Sequence, residues 1–445
     1  MKYKKIISLA IFIVLQEIIF QIQGIIDKLF LGKINFSFIS VIGNVTYPLN
    51  ITYAIIIAIC TGVTILIGQN YKSEENVSKY TAVALKYNLV LGVFVFILWK
   101  LVSKPLFGII DVSSDLLPMC LDYMYYISFY LILCGVDSVL QSLSQGLGVT
   151  YPILYGALIK VVTNIFLDWL FICEPFGIPC YGIKGAAIAT AIANSAGALF
   201  LLWYFLVHKS IVKITRNMFF SSGIKEWKQI LRLGLPTSVE SIFWYISIFI
   251  VTKFLNRLSE NEVGIYSLIT SIEMLLYVFC TAFGTVTLSL ISREMAKRRR
   301  QEIRKIFSSC LKLNLFVICS LSLISYIARF RILSLFTNQN AIILQSSSYL
   351  IIMFFTLIPK TLNVIIGSSI RAMGNVKWML ITQIIGTFLT VVLSYLFVFQ
   401  LDIGTKGVFI AFFFDELFRA LINYIKFNQM TNMLVSTNME SLENA

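Results

Sequence analysis

Ionisable and amide side chains stand inside long apolar runs of this chain, where they are costly to keep. A charge at the centre of a membrane span costs about 2.5 to 3.5 kcal/mol on insertion scales, so each such residue is a functional candidate. In the first half these are Glu17, Asp27, Asp137 and Asp168. Asn164 and Asp168 are four apart, so on a helix the amide and the carboxylate share one face. An amide oxygen beside a carboxylate suits a hard cation such as Na+, and the same carboxylate can instead take a proton. Both ions therefore fit a set made of Asp27, Asn164 and Asp168. A plainer reading leaves Asp168 at the outer end of its span, facing water, and Asp27 in an interfacial ion pair with Lys28 or Lys33.

Other polar residues extend the list. Glu17, Gln21 and Gly24 continue one helical face, which points to an interior position for the acid. Asp137 and Gln141, again four apart, fit either a substrate cavity or an interhelical hydrogen-bonding pair that only packs the span. Thr190 and Asn194 lie one turn apart in a run of small residues, Gly185-Ala186-Ala187-Ile188-Ala189-Thr190-Ala191-Ile192-Ala193-Asn194, that lets neighbouring backbones approach closely. They either reach the acidic set or bond their own backbone. In the second half, Glu240 with Trp244 and Glu273 with Tyr277 place an acid and an aromatic one turn apart, an arrangement that can hold an organic cation through charge and ring face. With 36 Phe and 21 Tyr in the chain, such neighbours also arise by chance. Lys360, after Pro359, is a candidate counter-ion for one of these acids, and Asp415 with Glu416 completes the set.

Other chemistries find no support. No G-x-x-x-x-G-K-[ST] occurs to cradle a nucleotide phosphate, and no H-E-x-x-H or Cys/His cluster accompanies the single histidine, His208. A serine nucleophile would need a positioned base, which is absent. No cofactor and no enzymatic activity are expected. Cys173 and Cys180 flank a loop placed outside, where a disulfide and two independent thiols fit equally well.

The elements that must position these groups follow from composition. The chain has 445 residues, 58% hydrophobic and only 13% charged, with mean hydropathy +0.84. A soluble domain carries about twice that charge, so an all-α integral membrane protein is predicted. Apolar runs give twelve spans, near 6–31, 40–68, 81–102, 118–145, 152–173, 185–207, 230–255, 263–291, 306–328, 342–370, 376–400 and 407–427. The net charge of +14 lies in loops between these runs, which matches an anionic membrane surface rather than nucleic acid. The N-terminus and even-numbered loops hold about 21 Lys and Arg against about eight in the odd-numbered loops, which places both termini in the cytoplasm.

An internal repeat orders these spans. Gln145-Gly146-Leu147-Gly148 is echoed by Arg371-Ala372-Met373-Gly374, and Gly182-Ile183-Lys184-Gly185 by Gly404-Thr405-Lys406-Gly407. Leu66-Ile67-Gly68-Gln69 aligns with Leu290-Ile291-Ser292-Arg293. Two six-helix lobes in the same orientation follow: 1–208, then a linker at 209–228, then 229–427, with a polar tail at 428–445. In the linker, Ile224, Trp227 and Ile230 alternate with Lys225 and Lys228 at helical spacing, which predicts a surface helix. Through the repeat, Asp27 pairs with Thr252, Asn164 with Thr390 and Asp168 with Ser394, so only the first half carries carboxylates at these positions. Generic packing glue would be needed in both halves.

These motifs, together with Gly68-Gln69 closing span two and Leu233-Gly234-Leu235-Pro236 opening the second half, resemble the multidrug and toxic compound extrusion (MATE) transporters. That group also includes polysaccharide and lipid-linked oligosaccharide flippases. The resemblance covers nearly the whole chain. It implies an outward-pumping antiporter with alternating access, with the family's cation site carried onto Asp27, Asn164, Asp168 and Thr190; Glu240 and Glu273 resemble acidic positions in the second lobe of some members. Span one lacks the proline found in some relatives, leaving Gly24 as its flexible point. The expectation is export of amphipathic, cationic compounds in exchange for H+ or Na+ by a monomer in the plasma membrane. A flippase for a lipid-linked or envelope precursor is the alternative, and a receptor or scaffold would have no need of the acidic asymmetry.

Overall fold

Lipid offers no partner to a bare peptide group, so each apolar run must close its own backbone hydrogen bonds, and the helix does so within one segment. The computed structural model describes residues 3–34, 36–109, 112, 114–172, 181–208, 212–215, 218–219, 223–258, 260–296, 300–334 and 340–443. Among the described residues are twelve long helices and no strand: α1 (Tyr3–Ile34), α2 (Phe36–Asn70), α3 (Glu74–Ile109), α4 (Leu117–Leu147), α5 (Tyr151–Ile172), α6 (Gly182–Leu202), α7 (Ile224–Asn256), α8 (Glu260–Ala296), α9 (Arg300–Ser334), α10 (Asn340–Ala372), α11 (Val376–Tyr395) and α12 (Thr405–Glu443). Each corresponds to one expected span. Single π-type turns, Trp203–His208 and Leu396–Gln400, continue α6 and α11. Cys173 and Cys180 lie outside the described residues.

The repeat is visible in the backbone. Gly148, at φ 67°, ends α4 with its N–H donated to Gln145 O, and Gly374, at φ 90°, ends α10 with its N–H donated to Arg371 O. A left-handed residue at a helix end favours glycine, which is why the two motifs match. Packing repeats as well: α4 lies against α2, α3 and α6, and its counterpart α10 against α8, α9 and α12.

Eleven of the helices contain a stretch long and apolar enough to cross a membrane by length and composition. The remaining one, α12, carries Asp415, Glu416 and Arg419 in its apolar segment, and these charges pair with one another. Helix α12 also runs on through residues 428–443, past the point where its apolar segment stops.

The chain divides into two compact units, Ile11–Ser238 and Val239–Ala445 together with Met1–Ala10. In the first, two apolar clusters form the core, one around Val63, Val139, Leu143 and Phe205 and one around Val41, Ile56, Met124 and Leu131. The start of α7 belongs to this unit. Its apolar face is covered by protein rather than left for the membrane surface: Trp227 stacks on Tyr87 with ring centroids 4.9 Å apart, Ile230 is fully buried, and Glu226 pairs with Lys79 at 2.7 Å. Gly62 and Gly234 make this docking close, since a Cβ on either would overlap the backbone carbonyl of Ile230 or Ile59. In the second unit, the core gathers around Val251, Ile269, Leu350, Leu357 and Val408.

Candidate functional site

Helix α5 carries the centre of the site. Lys160, Asn164 and Asp168 follow one another at four-residue intervals and all are buried, Asn164 and Asp168 completely. Asp27 of α1 reaches this face, and its carboxylate lies within hydrogen-bonding distance of that of Asp168. Tyr123 of α4 lies beside both acids and beside Thr190 of α6. Four helices of the first unit thus bring Asp27, Asp168, Tyr123 and Thr190 together, with Asn164 one turn along α5.

Among the described residues, no donor satisfies this cluster. Both oxygens of Asp168, Oδ1 of Asp27 and both polar atoms of the Asn164 amide are buried without a hydrogen-bond partner. Buried polar atoms are normally satisfied, and two carboxylates in contact repel unless a positive charge stands between them. A proton shared by the pair or a small hard cation held by carboxylate, amide and hydroxyl oxygens would meet both demands. Thr190 also donates to Ala186 O at 2.8 Å, so the backbone bond expected of a small-residue helix is made as well.

Asp137 has a different environment. Lys160 Nζ lies 2.5 Å from its Oδ2, Gln141 Nε2 donates to the same oxygen at 3.0 Å, and Tyr130 Oη donates at 3.2 Å. Gln16 Nε2 extends the network to Gln141 Oε1 at 3.4 Å. On α1, Gln16 and Gln23 are buried, Glu17 is half-buried, and Gln21 and Gly24 are exposed. Asn194 is half-buried.

The acids of the second unit have their own cations. Glu273 pairs with Lys360 at 2.5 Å, and the ammonium also lies 4.6 Å from the centre of the Tyr277 ring. Glu240 pairs with Arg371 rather than with an open aromatic face, while Trp244 packs edge-on against Tyr245 at 4.9 Å. Arg419 binds Asp415 at 2.7 Å, Glu416 at 2.9 Å and Gln383 Oε1 at 2.8 Å. Asn363 donates to Glu416 at 3.0 Å. Sequence reasoning passed over Lys160, Arg419 and Tyr123. The two cations were detectable by the cost that marked the acids, since both interrupt apolar runs; nothing in the spacing distinguishes Tyr123 from the many other aromatic residues.

A two-unit bundle with a carboxylate pair in the first unit can be compared with known proteins. A family model, MatE, matches residues 13–170 and 236–396, one block in each half. The chain belongs to the MatE family. This is a family of membrane transporters, not of enzymes, and the chain is a multi-pass member of it. Among its MatE relatives, the uncharacterized transporter YisQ of Bacillus subtilis is 24% identical over 413 residues, 91% of this chain and 90% of that protein. The multidrug resistance protein NorM of Vibrio cholerae is 22% identical over 62% of this chain and 63% of its own. Among solved structures, a MATE protein in its straight conformation superimposes with a TM-score of 0.90 at 20% identity, covering 98% of this chain and 97% of the other. A Pyrococcus furiosus transporter of the MOP superfamily, described as having a binding pocket of reversed polarity, matches with a TM-score of 0.89 at 20% identity, covering 97% and 96%. The expected architecture of twelve helices in two related sets of six is that of this MatE fold.

Proposed function

We propose that this chain exports small amphipathic compounds, predominantly cations, by antiport against H+ or Na+, from a plasma membrane in which both termini are cytoplasmic and the protein is a monomer. The observation that carries this reading is the Asp27–Asp168 contact beside the unsatisfied Asn164 amide. Asp137, Glu240, Glu273, Asp415 and Glu416 each have a basic partner. Among the described residues no basic side chain pairs with Asp27 or Asp168, while the side chains of Lys28 and Lys33 lie outside the described residues; on our reading the pair takes its positive charge from an external ion. Ion entry neutralises the pair and favours whichever packing of the four helices holds the ion better; a ligand shifts a conformational equilibrium only through that difference in affinity. The names of NorM relatives as multidrug resistance proteins support efflux as the direction of transport.

Asp168→Asn tests the reading. In a drug-sensitive bacterial host the variant is expected to reach the membrane at wild-type abundance and lose efflux, and in liposomes to lose ethidium movement driven by an H+ or Na+ gradient. Full gradient-driven flux in the variant would remove Asp168 from the coupling step.

One observation favours the second reading, a flippase for an anionic lipid-linked precursor: Lys160, Lys360, Arg371 and Arg419 make the interior less uniformly acidic than the sequence suggested. All four are already engaged by acids, which leaves no free cationic surface for a polyanion among them. Export of cations is therefore the better-supported reading.

A further inference from the structure

The two most buried Lys and Arg side chains among the described residues, Lys160 and Arg419, occupy matching places in the repeat, on opposite partners. The register that aligns Gly148 with Gly374 sets Lys160 of α5 against Gly386 of α11, and the register that aligns Gly185 with Gly407 sets Gly197 of α6 against Arg419 of α12. In space these are the same crossing. A Cβ on Gly197 would overlap the stem of Lys160, and a Cβ on Gly386 would overlap the stem of Arg419 and the Asp415 carboxylate. Each unit thus has one buried cation at the crossing of its fifth and sixth helices, admitted by a glycine on the facing helix. In the first unit the fifth helix supplies the cation and the sixth the glycine; in the second the roles are exchanged.

A polar position beside them matches too, although the acids themselves do not. Asp137 of α4 aligns with Asn363 of α10; Asp137 receives Lys160, and Asn363 holds Glu416, which receives Arg419. A packing requirement alone does not explain this, because a glycine facing an apolar side chain would fill the crossing without burying charge, and a buried ion pair is seldom more stabilising than its apolar replacement. What is kept through the exchange is a positive charge at one place, not a residue at one position.

We propose that Lys160 and Arg419 are tethered cations that take their neighbouring acids out of ion coupling, Lys160 by occupying Asp137 and Arg419 by occupying Asp415 and Glu416. Lys160 is thereby a positioning residue that limits the coupling ions drawn by the first unit to those of the Asp27–Asp168 pair. Without it, Asp137, already lined by Gln141 and Tyr130, becomes a further site for an external cation. This rests on the antiport reading.

The test measures the number of cations exchanged per ethidium in liposomes, from the gradient at which net flux stops, using the purified full-length chain. Lys160→Met and Lys160→Gly are expected to exchange one cation more per cycle than wild type. The transfer variant Lys160→Gly/Gly197→Lys, which returns the ammonium from the facing helix, is expected to restore the wild-type number. A folded Lys160→Met protein with an unchanged or smaller number overturns the proposal, as does a transfer variant that behaves like Lys160→Gly. Should the single variants fail to give a monodisperse protein, the transfer variant decides: recovery of folding with the wild-type number supports the proposal, and no recovery overturns it. Asp168→Asn in the same assay separates the two layers. Ion-driven flux surviving in that variant defeats the antiport reading itself, whereas its loss alongside an unaltered count in Lys160→Met defeats only the tethered-cation proposal.

Discussion

Tyr123 shows how a single hydroxyl can tune a buried charge pair. It sits beside Asp27, Asp168 and Thr190, so it forms one wall of the cluster while leaving the carboxylate oxygens open. Tyr123→Phe keeps the ring and removes the hydroxyl beside the acids, a polar group whose loss costs about 1 kcal/mol. The ion concentration that gives half-maximal flux should rise roughly fivefold, with little change in the maximal rate, which a titration of liposome transport against Na+ or H+ would read. At this scale the sequence was informative about type and poor about pairing. The cost of charge in lipid singled out Asp27, Asn164 and Asp168 without any structure, and Thr190 by its place in a small-residue run. The partners of Glu240 and Glu273 were not legible, because Arg371 and Lys360 come from a helix distant in the chain and helical spacing speaks only of neighbours within one element.

Between elements, glycine decides how near the helices come. At Gly62 and Gly234 the backbones of α2 and α7 touch with no side chain between them. Gly62→Leu must push the two helices apart, and overpacking of this kind costs about 1 to 3 kcal/mol. The variant should melt several degrees below wild type in a detergent thermal-shift assay. Gly24→Ala is the contrast: a Cβ there meets nothing within 4 Å, so its melting temperature should stay at or slightly above that of wild type. The number and order of helices were legible from apolar runs, and the repeat motifs marked the helix ends because left-handed turns favour glycine. The docking of α7 was half legible. Its amphipathic pattern was plain, but a pattern cannot say whether the apolar face meets lipid or, as here, Tyr87 and the α2 backbone.

For the whole molecule, the proposed cytoplasmic position of both termini rests on the excess of Lys and Arg on one set of loops. A fluorescent protein joined after residue 443 should fold and fluoresce in the cytoplasm, and alkaline phosphatase joined in the loop after α5 should be active outside. The reverse result in both fusions would turn the transporter over and make the inferred export an import. Charge is also distributed unequally between the two units. In the second, each of the acids Glu240, Glu273, Asp415 and Glu416 has a basic partner among Lys360, Arg371 and Arg419, with Arg419 shared by two of them, whereas the Asp27–Asp168 pair of the first has none among the described residues. The asymmetry was visible from the aligned halves, whereas the compensation that gives it meaning needed the three-dimensional pairing.

The length of the last helix has a practical use. At 39 residues and 1.5 Å per residue, α12 is about 58 Å long, nearly twice the roughly 30 Å of hydrocarbon it must cross. If it crosses the bilayer upright, its far end stands clear of the lipid, in one helix with the segment that bears Arg419. A spin label or dye fixed near that tip would magnify small tilts at the buried ion pair, giving a spectroscopic pointer to each turnover without disturbing the interior.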